Sequence, residues 1–233
     1  MKATPAEIRH RFDNDVERFS NLETGQMSTQ DAALVLESIA ACARRTTPDA
    51  KRLLDLGCGA GNFSLKLSQS FVFESVTLVD LSPNMLRRAV ERLTPLGASV
   101  QSIQTDIREL QLEPQSQDLI VAAAVLHHLR TEQEWKAVFE NLFQSLRPGG
   151  SLWIWDLIAH DIPGVQTEMW AQYGAYLTGL KGEEYRDNVF NYIDYEDSPR
   201  SVAFQLRCLE AAGFVADVVH KNGAFAALAA YRA

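Results

Sequence analysis

The chain has 233 residues, 46% of them hydrophobic, and a formal net charge of −8. That size supports one sizeable core, and an acidic chain without a local basic patch is poorly suited to gripping a nucleic-acid backbone. No apolar run approaches the ~20 residues that span a bilayer, and the first residues lack an apolar leader core. Cys42, Cys58 and Cys208 are too scattered to form a disulfide frame or a metal cluster. A cytoplasmic protein with reduced thiols and no bound metal is expected.

Residues 1–50 read as helical. Ile8, Phe12, Val16 and Phe19 recur at helical spacing, and a second apolar pattern, Ala32 to Ile39, follows Ser28 or Thr29 as candidate caps. The segment Ser20–Ser28, with Gly25, joins the two patterns. A short apolar run, Leu53 to Leu56, then predicts a buried parallel strand, and Gly57, Gly59 and Gly61 end it in a tight turn before the helical pattern of Phe63, Leu65 and Leu67. Such a strand-turn-helix unit brings backbone amides to a ligand. The third glycine comes one residue too early for the dinucleotide fingerprint, and Asp55 would repel a pyrophosphate. Ser75–Asp80 predicts a second strand, followed by a helix capped by Ser82 with Pro83 in its first turn. Asp80 stands about where an acid meets a ribose in doubly wound folds.

The run from Asp55 through Gly57, Gly59 and Gly61, with Asp80 closing the next strand, resembles the S-adenosylmethionine site of class I methyltransferases. The resemblance implies that Asp55, Gly57, Cys58, Gly59 and Gly61 line the cofactor and that Asp80 binds its ribose hydroxyls while Leu81 packs on adenine. It also implies that Asp106 and Ile107, after a third strand at Ser99–Gln104, bracket the adenine. A near-continuous apolar run from Gln117 to Val125 predicts a central strand, where the resemblance makes Ala123 the close neighbour of the methionine portion. The N-P-P-Y signature of amine-methylating relatives is absent there. Instead His127 and His128 follow. His127 is a candidate general base, because imidazole titrates near neutrality. An amphipathic helix over Glu132–Leu146 and a turn at Arg147–Gly150 lead to a fifth strand, Ser151–Leu157, whose Trp153 and Trp155 suit sheet packing.

Residues 159–199 interrupt the rhythm with an acidic, aromatic insertion. In this fold the substrate pocket lies at the carboxyl ends of the strands, so Trp170, Tyr173 and Tyr192 are substrate-side candidates, together with Phe12 and Phe19 from an N-terminal lid and Arg200. The chain closes with a helix ending at Gly213 and a hairpin through Asn222-Gly223. The expectation is one domain: a helical cover (1–50), a cofactor-binding core (51–158), a substrate-side insertion (159–199), and a terminal helix and hairpin (200–233). Its fold is α/β, a doubly wound, seven-stranded, mostly parallel sheet of order 3-2-1-4-5-7-6 with strand 7 antiparallel.

The function implied is methyl transfer from S-adenosylmethionine, with S-adenosylhomocysteine as product, to a small-molecule acceptor, by a monomer or homodimer that engages neither membrane nor nucleic acid. Two alternatives remain open. One is a carboxy-S-adenosylmethionine synthase, which would use an arginine near the start of the last helix; Arg200 lies close, but Ser198 aligns better. The other is a non-catalytic cofactor-binding module.

Overall fold

The computed structural model describes residues 2–21 and 27–233; residues 22–26 of the expected Ser20–Ser28 connection lie outside the described residues. Seven strands form one sheet: β1 (Arg52–Leu56), β2 (Ser75–Asp80), β3 (Ser99–Gln104), β4 (Gln117–Ala123), β5 (Leu146–Leu157), β6 (Val215–Asn222) and β7 (Phe225–Tyr231). Their order is β3-β2-β1-β4-β5-β7-β6. The first five run parallel, and β7 is antiparallel to both β5 and β6. This is the order anticipated from the motifs.

Period-two alternation divides the central strands between two buried layers. Leu53, Leu119, Val121, Trp153 and Trp155 face one layer, with α3 (Ala32–Thr46), α4 (Asn62–Leu67) and α5 (Pro83–Leu93). Leu54, Leu56, Ile120, Ala122, Leu152 and Ile154 face the other, with α6 (Glu132–Ser145) and α9 (Val202–Ala212). Ser82 caps α5, its hydroxyl accepting from the Met85 amide, with Pro83 behind it; Gly213 closes α9 at φ 107°. Helix α3 starts differently from expectation. Its cap is neither Ser28 nor Thr29 but Asp31, at φ 61° and with no side-chain capping bond. The Asp31 carboxylate is taken by the hairpin, accepting from Asn222 Nδ2 at 2.8 Å and lying 2.9 Å from His220 Nε2.

The stretch 147–150 also departs from the expected turn: it is extended and belongs to β5, with Leu146 opposite Gln117 and a register shift before Leu119. The physical cause is Asp118. Its buried carboxylate accepts from the backbone amides of Lys51 and Arg52 (2.8 and 2.9 Å) and from the guanidiniums of Arg52 and Arg147 (2.6 and 2.7 Å). One acid thus ties the starts of β1, β4 and β5 together. Helices α1 (Pro5–Asp13) and α2 (Val16–Ser20) cross the carboxyl ends of the strands, beside α7 (Pro163–Lys181) and α8 (Glu183–Glu196) from the insertion.

Asp118→Ala strands two backbone amides and separates two arginines from their shared partner. Hydrogen bonds to a charged group are worth about 1.5–3 kcal/mol each, discounted here because both guanidiniums can turn to water. We expect a loss of about 3 kcal/mol in urea unfolding, and an unshifted midpoint would refute the tie.

Candidate active site

The strands β1, β2 and β4 stop at one crevice. After β1, Gly57 and Gly59 have φ of 68° and 50°, a region other residues adopt only with strain. A Cβ on Gly57 would stand 2.4 Å from Val125 Cγ2, whereas one on Gly59 would meet nothing within 4 Å. The turn therefore packs tightly against β4 on one side and leaves a cradle on the other. That cradle opens into a cavity of about 510 Å³.

Asp80 closes β2 at the floor of this cavity. Its Oδ2 accepts from the Gly59 amide and its Oδ1 from the Ser82 amide, both at 2.8 Å. Burial pushes its pKa up to about 6 against these bonds, and Asp13 adds to the rise. Asp55 is buried and accepts from Ser64 Oγ at 2.6 Å; burial pushes its pKa up to about 7. The Cys58 thiol is likewise pushed up by burial, then by Asp80 and Asp55. Leu81, Ile107 and Ala123 line the same space. Asp106 lines it too, clasped by Arg108, whose Nε lies 2.8 Å from Oδ1. Ala124, at φ 53°, is a strained residue that the sequence did not flag.

Across the cavity stand Phe12, Phe19, Tyr173 and Tyr192, all lining it. Phe12 and Phe19 pack at 5.4 Å between centroids, and the Arg11 guanidinium lies over both Phe12 and Tyr192 (4.2 and 5.1 Å). Arg11 Nε donates to Glu196 Oε1 at 2.6 Å, fastening α1 to the end of α8. The Tyr173 hydroxyl donates to the Ser28 carbonyl at 3.0 Å. On the other side, Asn62 Nδ2 donates to the Phe19 carbonyl and Ser82 Oγ to Asp13 Oδ1. The cover is bonded at both margins.

Three expected site residues lie outside the cavity. Gly61 lies beneath the turn, capping α4 at φ 82° with Ala89 and Leu93 against it. Trp170 packs between Tyr173 and Phe190 and faces an open groove on the far side of α7 and α8. Arg200 donates through Nη2 to the Arg130 carbonyl and lies over Phe204. Conversely, Trp155, read as sheet packing, also reaches the cavity wall.

His127 faces the cavity with partners the sequence did not reveal. Asp156, from β5, accepts from its Nδ1, and also from its backbone amide at 3.1 Å. Its Nε2 stands 3.5 Å from Asp197 Oδ1, at the foot of α8. Burial opposes a charge on this ring, but Asp156 and Asp197 outweigh it and push the pKa up to about 9. His128 is the reverse: burial and the His127 charge depress its pKa well below the usual value. Asp197 is raised to about 6 by burial, against the pull of His127.

A crevice at the carboxyl ends of β1, β2 and β4, lined by left-handed glycines and a ribose-ready acid, defines the nucleoside-binding side of a class I methyltransferase fold. Residues 53–150 match the family described as Methyltransferase domain. The chain is 36% identical over 110 residues to trans-aconitate 2-methyltransferase of Variovorax paradoxus, covering 47% of this chain and 40% of that one. It is 27% identical over 181 residues to demethylmenaquinone methyltransferase of Listeria monocytogenes, covering 75% of each. The PH0226 protein of Pyrococcus horikoshii shares the fold, with a TM-score of 0.64 at 17% identity over 93% of this chain and 99% of that one. Residues 53–150 thus carry a methyltransferase domain similar to the class I, S-adenosylmethionine-dependent kind, and S-adenosylmethionine is the cofactor of that class. The matched stretch covers under half the length of the first curated relatives, 42% of one and 24% of another. No helix among the described residues is long and apolar enough to cross a membrane.

The residues present fit that cofactor. The open space above Gly59 admits it where a Cβ would intrude, and Asp80, with about four acceptor positions, keeps one beyond its bonds to the Gly59, Ser82 and Leu81 amides. Asp80→Ala should weaken S-adenosylhomocysteine binding roughly 10- to 100-fold by calorimetry, the worth of charge-assisted bonds of about 1.5–3 kcal/mol. With its pKa near 6, and with Asp13, Asp55 and Cys58 as the neighbouring titratable groups, Asp80 accepts best when ionised. Wild-type affinity should therefore fall as pH drops through about 6. Equal affinity for variant and wild type would remove Asp80 from the site.

Proposed function

We propose that this chain transfers a methyl group from S-adenosylmethionine to a small-molecule acceptor held under the N-terminal helices. One observation carries the reading: Asp80, Gly59 and Asp106 share a single cavity with the aromatic wall of Phe12, Phe19 and Tyr192, roofed by α1 and α2. A roof bonded at both margins leaves space suited to a small acceptor rather than to a folded macromolecule. The net charge of −8 likewise supports an acceptor other than nucleic acid.

When bound, the cofactor would supply a methyl group on a cationic sulfur, open to in-line attack. The chain's contribution is positioning and dryness. Asp80, Leu81, Asp106 and Ile107 would hold the nucleoside half, while Gly57, Ala123 and Val125 keep the methionine end close to β4. The aromatic wall excludes water and favours a cation near its faces. The acceptor would enter from the side of Tyr192, which is 50% exposed, and would meet His127 and Asp197 at the inner end. Holding two reacting groups at about 3–3.5 Å is itself worth a large share of the barrier.

The relatives' names support a small acceptor, being enzymes of trans-aconitate, phosphoethanolamine and menaquinone chemistry. The carboxy-S-adenosylmethionine synthase alternative is not favoured, because Arg200 is turned to the Arg130 carbonyl, away from the cavity. Incubation with methyl-labelled cofactor and a cell extract, followed by size separation, tests the proposal. Label should collect in the small-molecule fraction. Label confined to protein or nucleic acid would overturn it.

A further inference from the structure

His127 and His128, in the short helical turn Leu126–His128 after β4, meet Asp197 at the inner end of the cavity. One potential ligand atom from each lies within 4.8 Å of the others. His127 Nε2 and His128 Nδ1 stand 3.5 and 3.3 Å from the same oxygen, Asp197 Oδ1. Two ligands each about 2.0–2.1 Å from one ion, at a tetrahedral angle, would stand about 3.4 Å apart.

The ring of His128 is shielded from solvent, and its Nδ1 lies 3.3 Å from Asp197 Oδ1 without an aligned hydrogen bond between them; the other polar group within its reach is the Glu196 backbone. Close approach without alignment is what lone pairs converging on a shared point produce. His127 is oriented for the same task. Its Nδ1 donates to Asp156, which leaves Nε2 toward Asp197, and a carboxylate behind a ligating histidine fixes the tautomer and raises basicity. Around the cluster stand three acids, Asp156, Glu196 and Asp197, against the guanidiniums of Arg11 and Arg130. The acids outnumber the guanidiniums, and an ion arriving at His127 Nε2 would displace the proton held there.

We infer that His127 Nε2, His128 Nδ1 and Asp197 Oδ1 form a binding site for a divalent transition ion of the zinc class. Two imidazoles and one carboxylate are the donor set of an open, three-ligand site, unlike the all-oxygen sets of calcium or magnesium. The fourth position faces the cavity and would take an oxygen of whatever occupies it; only the naming of that occupant as a methyl acceptor rests on the reading above. No local pattern marks the site: neighbouring residues seldom aim at one point, and the third ligand, Asp197, comes from the distant foot of α8.

The test is equilibrium dialysis of the chelator-stripped full chain against Zn²⁺, with bound metal counted by mass spectrometry, and Co²⁺ absorption as a second readout. Wild type should take up one ion per chain and show the d–d bands of a four-coordinate nitrogen-oxygen site. Asp197→Asn and His128→Gln should bind at least about tenfold more weakly, and Asp156→Asn about 10- to 100-fold more weakly. His10→Gln, at an exposed histidine of α1, should match wild type. A wild type that takes up no ion, or site variants that bind as tightly as wild type, would overturn the inference. Titration with S-adenosylhomocysteine runs in parallel. Cofactor binding without ion uptake sinks the ion site alone, and ion uptake without cofactor binding sinks the methyl-transfer reading alone. Should the variants fail to fold by circular dichroism, the wild-type cobalt spectrum decides: absent d–d bands overturn the site.

Discussion

The structure depends on a left-handed turn wedged against its neighbour strand. At Gly57, a φ of 68° and a Cβ position only 2.4 Å from Val125 exclude every other residue. Because that turn cannot move outward, the end of β1 is pressed against the end of β4, and the Gly59 amide is delivered to Asp80. The cavity floor is therefore fixed by backbone, not by side chains that could swing. Everything above it, from Phe12 to Tyr192, can vary without disturbing that floor. A fold with a fixed nucleoside floor and a replaceable upper wall suits many acceptors, which accords with a family match over 53–150 and with relatives of such different names.

The cavity also gathers acids that water no longer reaches. Asp55, Asp80 and Asp197 all have raised pKa values, in each case mainly because burial disfavours the charged form. A carboxyl raised above its unfolded value contributes stability that is present below the unfolded pKa, near 4, and is lost as pH rises through about 6–7. At neutral pH these groups therefore weigh against the free chain. Hydroxyl donors at Asp80, a positive sulfur near the aromatic wall, or a cation at Asp197 would each offset that cost. The site is thus most complete energetically when filled.

Much of this was legible in the sequence, because it is written locally. The strand-glycine-helix unit, the Ser82-Pro83 cap and the hairpin at Asn222-Gly223 are signals within a few residues, and the apolar runs Leu53–Leu56 and Gln117–Val125 mark the central strands. What escaped depends on closures between distant segments. Asp156 reaches His127 across 29 positions, and Glu196 reaches Arg11 across 185. Nothing near Asp197 marks it as different from the other acids of an acidic insertion. Trp170 and Arg200 were misplaced for the converse reason: an aromatic or a cation in the right segment says nothing about which side of its helix meets the cavity. Trp170 turned toward Phe190, and Arg200 toward a carbonyl.

Those distant closures converge on one place, which argues that the N-terminal helices and the insertion act together. The Ala3 amide donates to the Tyr195 carbonyl, Arg11 is clasped by Glu196, and the Ser198 amide donates to the His127 carbonyl. Residues 195–198 therefore touch the cover, the histidine pair and the foot of α8 at once. If α1 lifted while α8 stayed, buried Glu196 would lose the guanidinium beside it, and an uncompensated buried charge is costly. If both moved, Asp197 would leave the histidines. The least costly opening keeps Arg11 with Glu196 and widens the cavity instead on the side of Tyr192, which already meets solvent. Whatever enters by that side passes the aromatic residues before it reaches His127.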